Sequence, residues 1–314
     1  MKRPRHQLFA LLPLALSIHS SFCFIGTMNL TAKENFNSTM SSAHRFTLIF
    51  IYSTVLTVGS IGVTLMIGVL KSNLRSWTTV TFFNLILVHV FFLLTIPFRI
   101  YYYVAQSWDL HMFFCKVVSS MIHIHMHVVF VIYVIILTVN FAYYFKKVEQ
   151  IEFYRSLHAV AFSVAIWSVV LIIGPVTLYH YGAHVNETDH KCFNFGEELK
   201  KESVLACNIF LSVCTIIVSC IISCVLASVL YIMIKKHGAA AWAHQEFWAQ
   251  MKNVSLVLII LFCLAPYHLY RLYYLTKHSD LQQDNEVFLA FTAITCFDMM
   301  FVFAGKGICH RCGG

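Results

Sequence analysis

The chain has 314 residues, of which 59% are hydrophobic and 11% charged, against about 45–50% and about 25% in an ordinary soluble domain. Twenty-two Lys and Arg with fourteen Asp and Glu are too few to cover a water-soluble globule of this size, which leaves the bilayer as the solvent. The net charge of +8 with histidine neutral is scattered thinly and makes no basic face, so a nucleic-acid partner is set aside.

Residues 1–21 combine a basic start (Lys2, Arg3, Arg5) with a short apolar core from Leu8 to Leu16. That pattern suits a signal peptide better than a span, although no clean small-x-small site follows and an uncleaved extension is the alternative. Residues 22–45 form an extracellular segment. Stretches of about 20 residues without Asp, Glu, Lys or Arg mark membrane spans. Six are clean: Phe46 to Leu70, Ser76 to Phe98, Val117 to Phe145, Ser156 to Asn186, Ser203 to Ile234 and Asn253 to Tyr270. A seventh, Val287 to Gly305, is interrupted by Asp298, an acid that neighbouring helices can accept if it turns inward. The expectation is an all-α, integral membrane seven-helix bundle over 46–305 with a short cytoplasmic tail over 306–314.

Loops 71–75, 146–155, 235–252 and 306–314 carry ten Lys/Arg and three acids, whereas the opposite set, leaving aside Arg99, Lys116 and Arg271 at the very ends of spans, carries six Lys/Arg and ten acids. The first set is therefore cytoplasmic and the N-terminus outside. Asn29, Asn37 and Asn186, each in an Asn-x-Thr/Ser triplet, fall on the outer set and fit glycosylation. The further triplet at Asn253 falls at the cytoplasmic end of a span and is a chance match. Cys207, Cys214, Cys220, Cys224, Cys263 and Cys296 lie inside apolar runs, where a thiol behaves as a small hydrophobe; a dense disulfide scaffold is excluded. Cys309 and Cys312, beside Lys306 and Arg311, suit palmitoylation or remain plain thiols.

Local motifs are more specific than the span count. Trp108, Cys115 at the start of the third span, Trp167 in the fourth, Cys192 in the second outer loop, and the runs Leu94 to Tyr103 and Phe262 to Arg271 resemble rhodopsin-like G-protein-coupled receptors, in particular the nucleotide, lipid and protease-activated branch. The runs His123-Ile124-His125-Met126, Glu152 to Arg155 and His244 to Gln250 resemble orphan members of that family. The resemblance implies a Cys115–Cys192 disulfide, an extracellular ligand and a heterotrimeric G protein on the cytoplasmic face. Pro97, Pro175 and Pro266 each remove a backbone donor and kink a helix. At Pro266 the kink is either a static bend or a hinge for the inner half of the sixth helix.

Departures from the family pattern are as informative as the matches. The acid-Arg-aromatic triplet ending the third helix becomes Val139-Asn140-Phe141, which removes the arginine that meets the G protein. The motif of the seventh helix becomes Asp298-Met299-Met300-Phe301-Val302, and His89 stands where the family carries the sodium-holding Asp. Imidazole is a poor substitute for a hard oxygen ligand, so no family-type sodium site is expected. Asp298 then needs a partner, and His89 is the candidate, either in a neutral hydrogen bond or in an ion pair that would act as a pH switch.

Arg99, Lys116 and Arg271 lie near the outer ends of the second, third and sixth spans, with His123 and His268 about a turn deeper and Tyr267 beside His268. This pattern suits an anionic small molecule or lipid headed by carboxylate or phosphate. Alternatively Arg99 and Lys116 snorkel to the headgroups. His123, His125 and His127 suggest a metal box, but on a helix only His123 and His127 share a face while His125 points the opposite way. No metal, cofactor or catalytic residue is expected, and an enzyme is disfavoured. The expected function is that of a receptor that shifts its population on binding ligand. The alternatives are a non-coupling or decoy receptor, because of Asn140, and a membrane transporter.

Overall fold

The computed structural model describes residues 40–70, 77–146, 192–193, 201–238, 245–276 and 281–298, together with Ala161, Ser163, Val164, Ile166, Trp167, Ser168, Val170 and Met300. Asn29, Asn37, Pro175, Asn186, Cys309, Cys312 and the residues 1–21 lie outside the described residues.

The first span is one helix, α1 (Ser42–Leu70). Its Thr47, Thr54 and Thr64 hydroxyls donate to the carbonyls of Ala43, Phe50 and Ser60, which hides hydroxyl protons that hydrocarbon cannot solvate. The second span is two helices, α2 (Trp77–Leu93) and α3 (Ile96–Ala105), broken at Leu94 and Thr95. Pro97 lies in the first turn of α3, where its missing N–H costs nothing. Thr95 returns both its N–H and its hydroxyl to the Phe92 carbonyl, at 2.9 and 2.7 Å. Gln106, at φ 56°, closes α3 in the left-handed region with its N–H on the Tyr102 carbonyl, a conformation that stops a helix.

The third span is α4 (Met112–Lys146), 35 residues and so about 52 Å long at about 1.5 Å per residue, well beyond the hydrocarbon core. The fifth is α5 (Glu202–His237). The sixth is α6 (Gln245–Ile259), a π turn over Ile260–Leu264, and α7 (Ala265–Tyr274) with Pro266 in its first turn. Within the π turn the Ala265 N–H reaches back to the Ile260 carbonyl, so the bend combines an inserted residue with a proline, two independent causes of a kink. The seventh span is α8 (Gln282–Thr292), tightening into a 3-10 turn over Ala293–Phe297 that ends at Asp298. It begins five residues before the expected Val287, and this brings Glu286 inside the bundle. Of the fourth span Ala161, Ser163, Val164, Ile166, Trp167, Ser168 and Val170 are helical. Trp167 Nε1 donates to Asn84 Oδ1 at 2.9 Å and Asn84 Nδ2 donates to Ser163 Oγ, which fixes the fourth span against α2.

Among the described residues α1 packs on α2 and α3 on one side and on α8 and its 3-10 turn on the other, while α7 packs on α5 and α8, and α5 also on α6. Five helices among the described residues are long and apolar enough to cross a membrane. Their surfaces are inverted relative to a soluble protein. Phe50, Phe210, Ile217, Ile221 and Phe262 are exposed, whereas Ser119, Ser120, Ser212, Thr215, Ser219, Thr292 and Thr295 are buried. Lipid is as apolar as leucine, so helices associate through close packing and polar contacts rather than through apolar burial. Gly59 is one such close approach: a Cβ there would meet Leu93 Cδ2 at 3.0 Å and Cys296 Cβ at 3.3 Å.

Candidate functional site

At one end of the bundle the Cys115–Cys192 disulfide, Cα–Cα 5.9 Å, ties residues 192–193 to the start of α4. The tie holds Phe193 at φ 67°, a conformation a bulky residue adopts only when its surroundings impose it. Its ring lies 4.5 Å from the Arg99 guanidinium carbon and packs against Tyr102, Tyr103 and Trp108. Arg99 is fully buried. It does not snorkel: Nη1 donates to Tyr52 Oη at 3.3 Å, and Nη2 donates to the Val118 and Ser119 carbonyls at 3.0 and 3.4 Å. Its turn inward follows from its place on α3, whose buried face is Ile96, Arg99, Ile100 and Tyr103. Lys116 is half-buried on α4 and forms no part of these contacts.

Beneath Phe193, Tyr52 and Tyr103 stack with ring centroids 5.9 Å apart, and Tyr103 Oη donates to Glu286 Oε2 at 2.8 Å. Glu286 is buried and within electrostatic reach of both Arg99 and Arg271. Sequence reasoning missed it, taking Asp298 as the lone acid of the spans. The signal was present in its spacing from the buried Leu289, Ala290 and Ala293, which is one face of a helix.

Arg271 on α7 is 1% exposed. It donates from Nη1 to Asn285 Oδ1 at 3.3 Å and from Nη2 to Asn208 Oδ1 at 3.2 Å, with Tyr274 under its guanidinium. One turn deeper, His268 Nδ1 is 3.2 Å from Ser212 Oγ, and its ring lies 5.8 Å from His127 and 5.2 Å from Tyr267. His123 is buried within electrostatic reach of Arg99, Arg271, His127 and His268. The structure thus gathers Arg99, His123, Tyr267, His268 and Arg271 at one end of the bundle. It also adds Tyr52, Tyr103, Asn208 and Glu286.

Midway along the bundle His89 Nε2 stands 3.2 Å from Asp298 Oδ1, and Tyr133 Oη donates to Asp298 Oδ2 at 2.5 Å. The other ring nitrogen, His89 Nδ1, lies 2.9 Å from His125 Nε2, with Cys296 Sγ at 3.5 Å. His125, which faces away from His123 and His127, belongs to this second group rather than to a box with them. At the far end, Asn140 Nδ2 donates to Asn253 Oδ1 at 2.7 Å and Asn253 Nδ2 donates to Gln250 Oε1 at 2.9 Å. The third and sixth spans are therefore joined by amides where an arginine was expected from the family pattern.

A helical bundle with a disulfide-tied cluster of buried cations at one end and a polar core beneath it has the layout of a seven-helix membrane receptor. The model of the 7 transmembrane receptor (rhodopsin family) matches residues 59–301, and the chain belongs to that family. It is 40% identical over 269 residues to human probable G-protein coupled receptor 141, covering 82% of this chain and 88% of that one. More distant relatives are the human N-arachidonyl glycine receptor, 21% identical over 74% of this chain and 72% of the other, and the rat 2-oxoglutarate receptor 1, 21% identical over 77% and 72%.

Proposed function

We propose that the chain is a plasma-membrane receptor with its N-terminus outside, whose disulfide-end chamber binds an extracellular anion and whose opposite end engages a heterotrimeric G protein. The observation that carries this reading is the placement of two buried guanidiniums, Arg99 and Arg271, with one buried carboxylate, Glu286, among the described residues of the chamber. A desolvated excess of positive charge is costly until an anion joins it, and Arg presents a fork matched to carboxylate or phosphate. Arg99 spends its terminal donors on Tyr52 and on α4 carbonyls, so it supports the wall. Arg271 donates to the neutral side-chain amides of Asn285 and Asn208, which a stronger acceptor can displace. Two relatives are named for 2-oxoglutarate and N-arachidonyl glycine, both carboxylic acids, and the chemistry of the chamber agrees.

The test is a second-messenger screen of surface-expressed receptor against carboxylic acid metabolites and acidic lipids, with Arg271→Ala as control. An acid that activates the wild type and fails on the variant supports the reading; activators confined to cations or neutral molecules overturn it. The second reading, a receptor that binds without coupling, is favoured by one observation, the Asn140–Asn253 amide pair in place of an arginine. Ligand binding with no second-messenger response through any G-protein class would select it.

A further inference from the structure

Outside the ligand chamber, one cluster of potential ligating atoms is buried at the level where the second, third and seventh spans meet. His89 Nδ1, His125 Nε2 and Cys296 Sγ converge within 4.8 Å of one another, all three residues being buried. The individual separations are 2.9 Å between the two nitrogens, 3.5 Å from sulfur to His89 and 3.7 Å from sulfur to His125. A tetrahedral zinc ion, with Zn–N about 2.0–2.1 Å and Zn–S about 2.3 Å, holds its nitrogens about 3.3 Å apart and nitrogen and sulfur about 3.6 Å apart. The two nitrogen–sulfur separations already match, and the nitrogens need to part by only a few tenths of an ångström.

The surroundings of the three atoms are those of a metal site. Asp298 lies behind His89 Nε2 at 3.2 and 3.3 Å and is itself held by Tyr133. That is the carboxylate–histidine arrangement that presents the other ring nitrogen, Nδ1, as a ligand. His125 is clamped by stacking on Phe92, ring centroids 4.2 Å apart. Cys296 packs closely on Gly59, where an added Cβ would lie 3.3 Å from the Cys296 Cβ.

We propose that His89, His125 and Cys296 supply three ligands to one borderline transition-metal ion of the zinc class, a neutral water carried in with the ion completing the tetrahedron, with Asp298 as the positioning residue for His89. Two imidazoles and a thiolate suit zinc or copper and are wrong for sodium or calcium. His89 Nε2 keeps its proton toward Asp298, and ligation needs both facing nitrogens bare. Where the proton between the rings starts on His125 Nε2, it moves to His125 Nδ1, which has no hydrogen-bond partner among the described residues; where it starts on His89 Nδ1, it leaves to solvent. The thiol proton leaves to solvent as well. The two positive charges of the ion are then balanced by the Cys296 thiolate and the Asp298 carboxylate. The site is neutral, as burial requires. Such an ion would pin the seventh span to the second and third, and would do so whatever ligand the chamber takes.

The experiment uses the full chain expressed in zinc-supplemented medium, purified in detergent without chelator, desalted and measured for zinc per receptor. Wild type is expected to retain one equivalent, slowly stripped because the site is sealed. Cys296→Ser and His125→Phe are expected to retain none, and Asp298→Asn to bind about ten- to about 100-fold more weakly. Cobalt(II) in place of zinc is expected to show a thiolate charge-transfer band and tetrahedral visible bands that Cys296→Ser removes. Zinc at the wild-type level in both Cys296→Ser and His125→Phe marks adventitious binding elsewhere and overturns the proposal. So does a wild type that retains none. His125→Phe keeps the stacking on Phe92 and serves where Cys296→Ser does not fold, and the wild-type cobalt spectrum alone overturns the proposal if no sulfur ligand is seen.

Discussion

Asn140 and Asn253 share a hydrogen bond of 2.7 Å between the third and sixth spans, and Gln250 one turn earlier on α6 accepts from Asn253 in turn. This amide chain joins the two helices whose ends would have to separate for a G protein to enter. The bond is made of neutral groups and involves no buried charge, so it is a weak restraint. Interhelical hydrogen bonds in membranes average about 0.6 kcal/mol with a maximum near about 1.7.

Asn253→Ala removes the restraint from one side. If the joined state is the resting one, agonist-free second-messenger output rises about three-fold on the average value and about twenty-fold at the maximum. Asn140→Arg breaks the same bond and restores the missing guanidinium, so it is expected to raise basal output further. Surface expression measured in parallel separates signalling from abundance. Unchanged basal output in both variants would sink this account of the far end.

On the proposed reading of an anion bound at the disulfide end, Arg271 and Glu286 act on it in opposite senses. Loss of a charge-assisted hydrogen bond costs about 1.5–3 kcal/mol, so Arg271→Ala lowers potency about ten- to about 150-fold, and Arg271→Lys falls between because ammonium lacks the fork. Glu286→Gln keeps an acceptor for Tyr103 Oη while removing a competing negative charge. It is therefore expected to increase potency several-fold in the same dose–response assay.

Asp298 accepts from His89 and Tyr133 in a site that water does not reach. Asp298→Ala strips both donors of their acceptor at once, and each buried donor left unsatisfied costs about 1–3 kcal/mol. Asp298→Asn keeps an acceptor oxygen and is expected to cost distinctly less. Thermal unfolding in detergent should rank wild type above Asp298→Asn and both well above Asp298→Ala.

Gly59 admits no side chain without displacement of its neighbours, since a Cβ would meet Leu93 Cδ2 at 3.0 Å and Cys296 Cβ at 3.3 Å. Leu93 is an end that can rotate away; Cys296 Cβ is fixed to the seventh span. Gly59→Ala is expected to be tolerated at modest cost, while Gly59→Val overpacks by about 1–3 kcal/mol. Surface expression and melting temperature should both fall in that order.

Some of this was open to a reader of the chain alone. The spans follow from hydropathy, because transfer of each residue into hydrocarbon depends on its own chemistry and on little else. The pairing of His89 with Asp298 followed from the same cost, since an acid in the bundle needs a donor. Cys115 and Cys192 came from family resemblance rather than from any spacing rule.

Composition and hydropathy by themselves determined that the chain crosses a membrane as helices and which residue types it holds there. The tertiary structure alone decided which of those residues face one another. Arg99 turns inward under Phe193, Glu286 joins Tyr103, and His125 meets His89 and Cys296 across sequence separations of 36 and 171 residues. The physical reason is that burial in lipid is a cost levied residue by residue along the chain. Local periodicity marks which face of a helix turns inward, as it does for Glu286, but the depth and neighbours that choose the partner of a given side chain are set by contacts with segments far away in sequence.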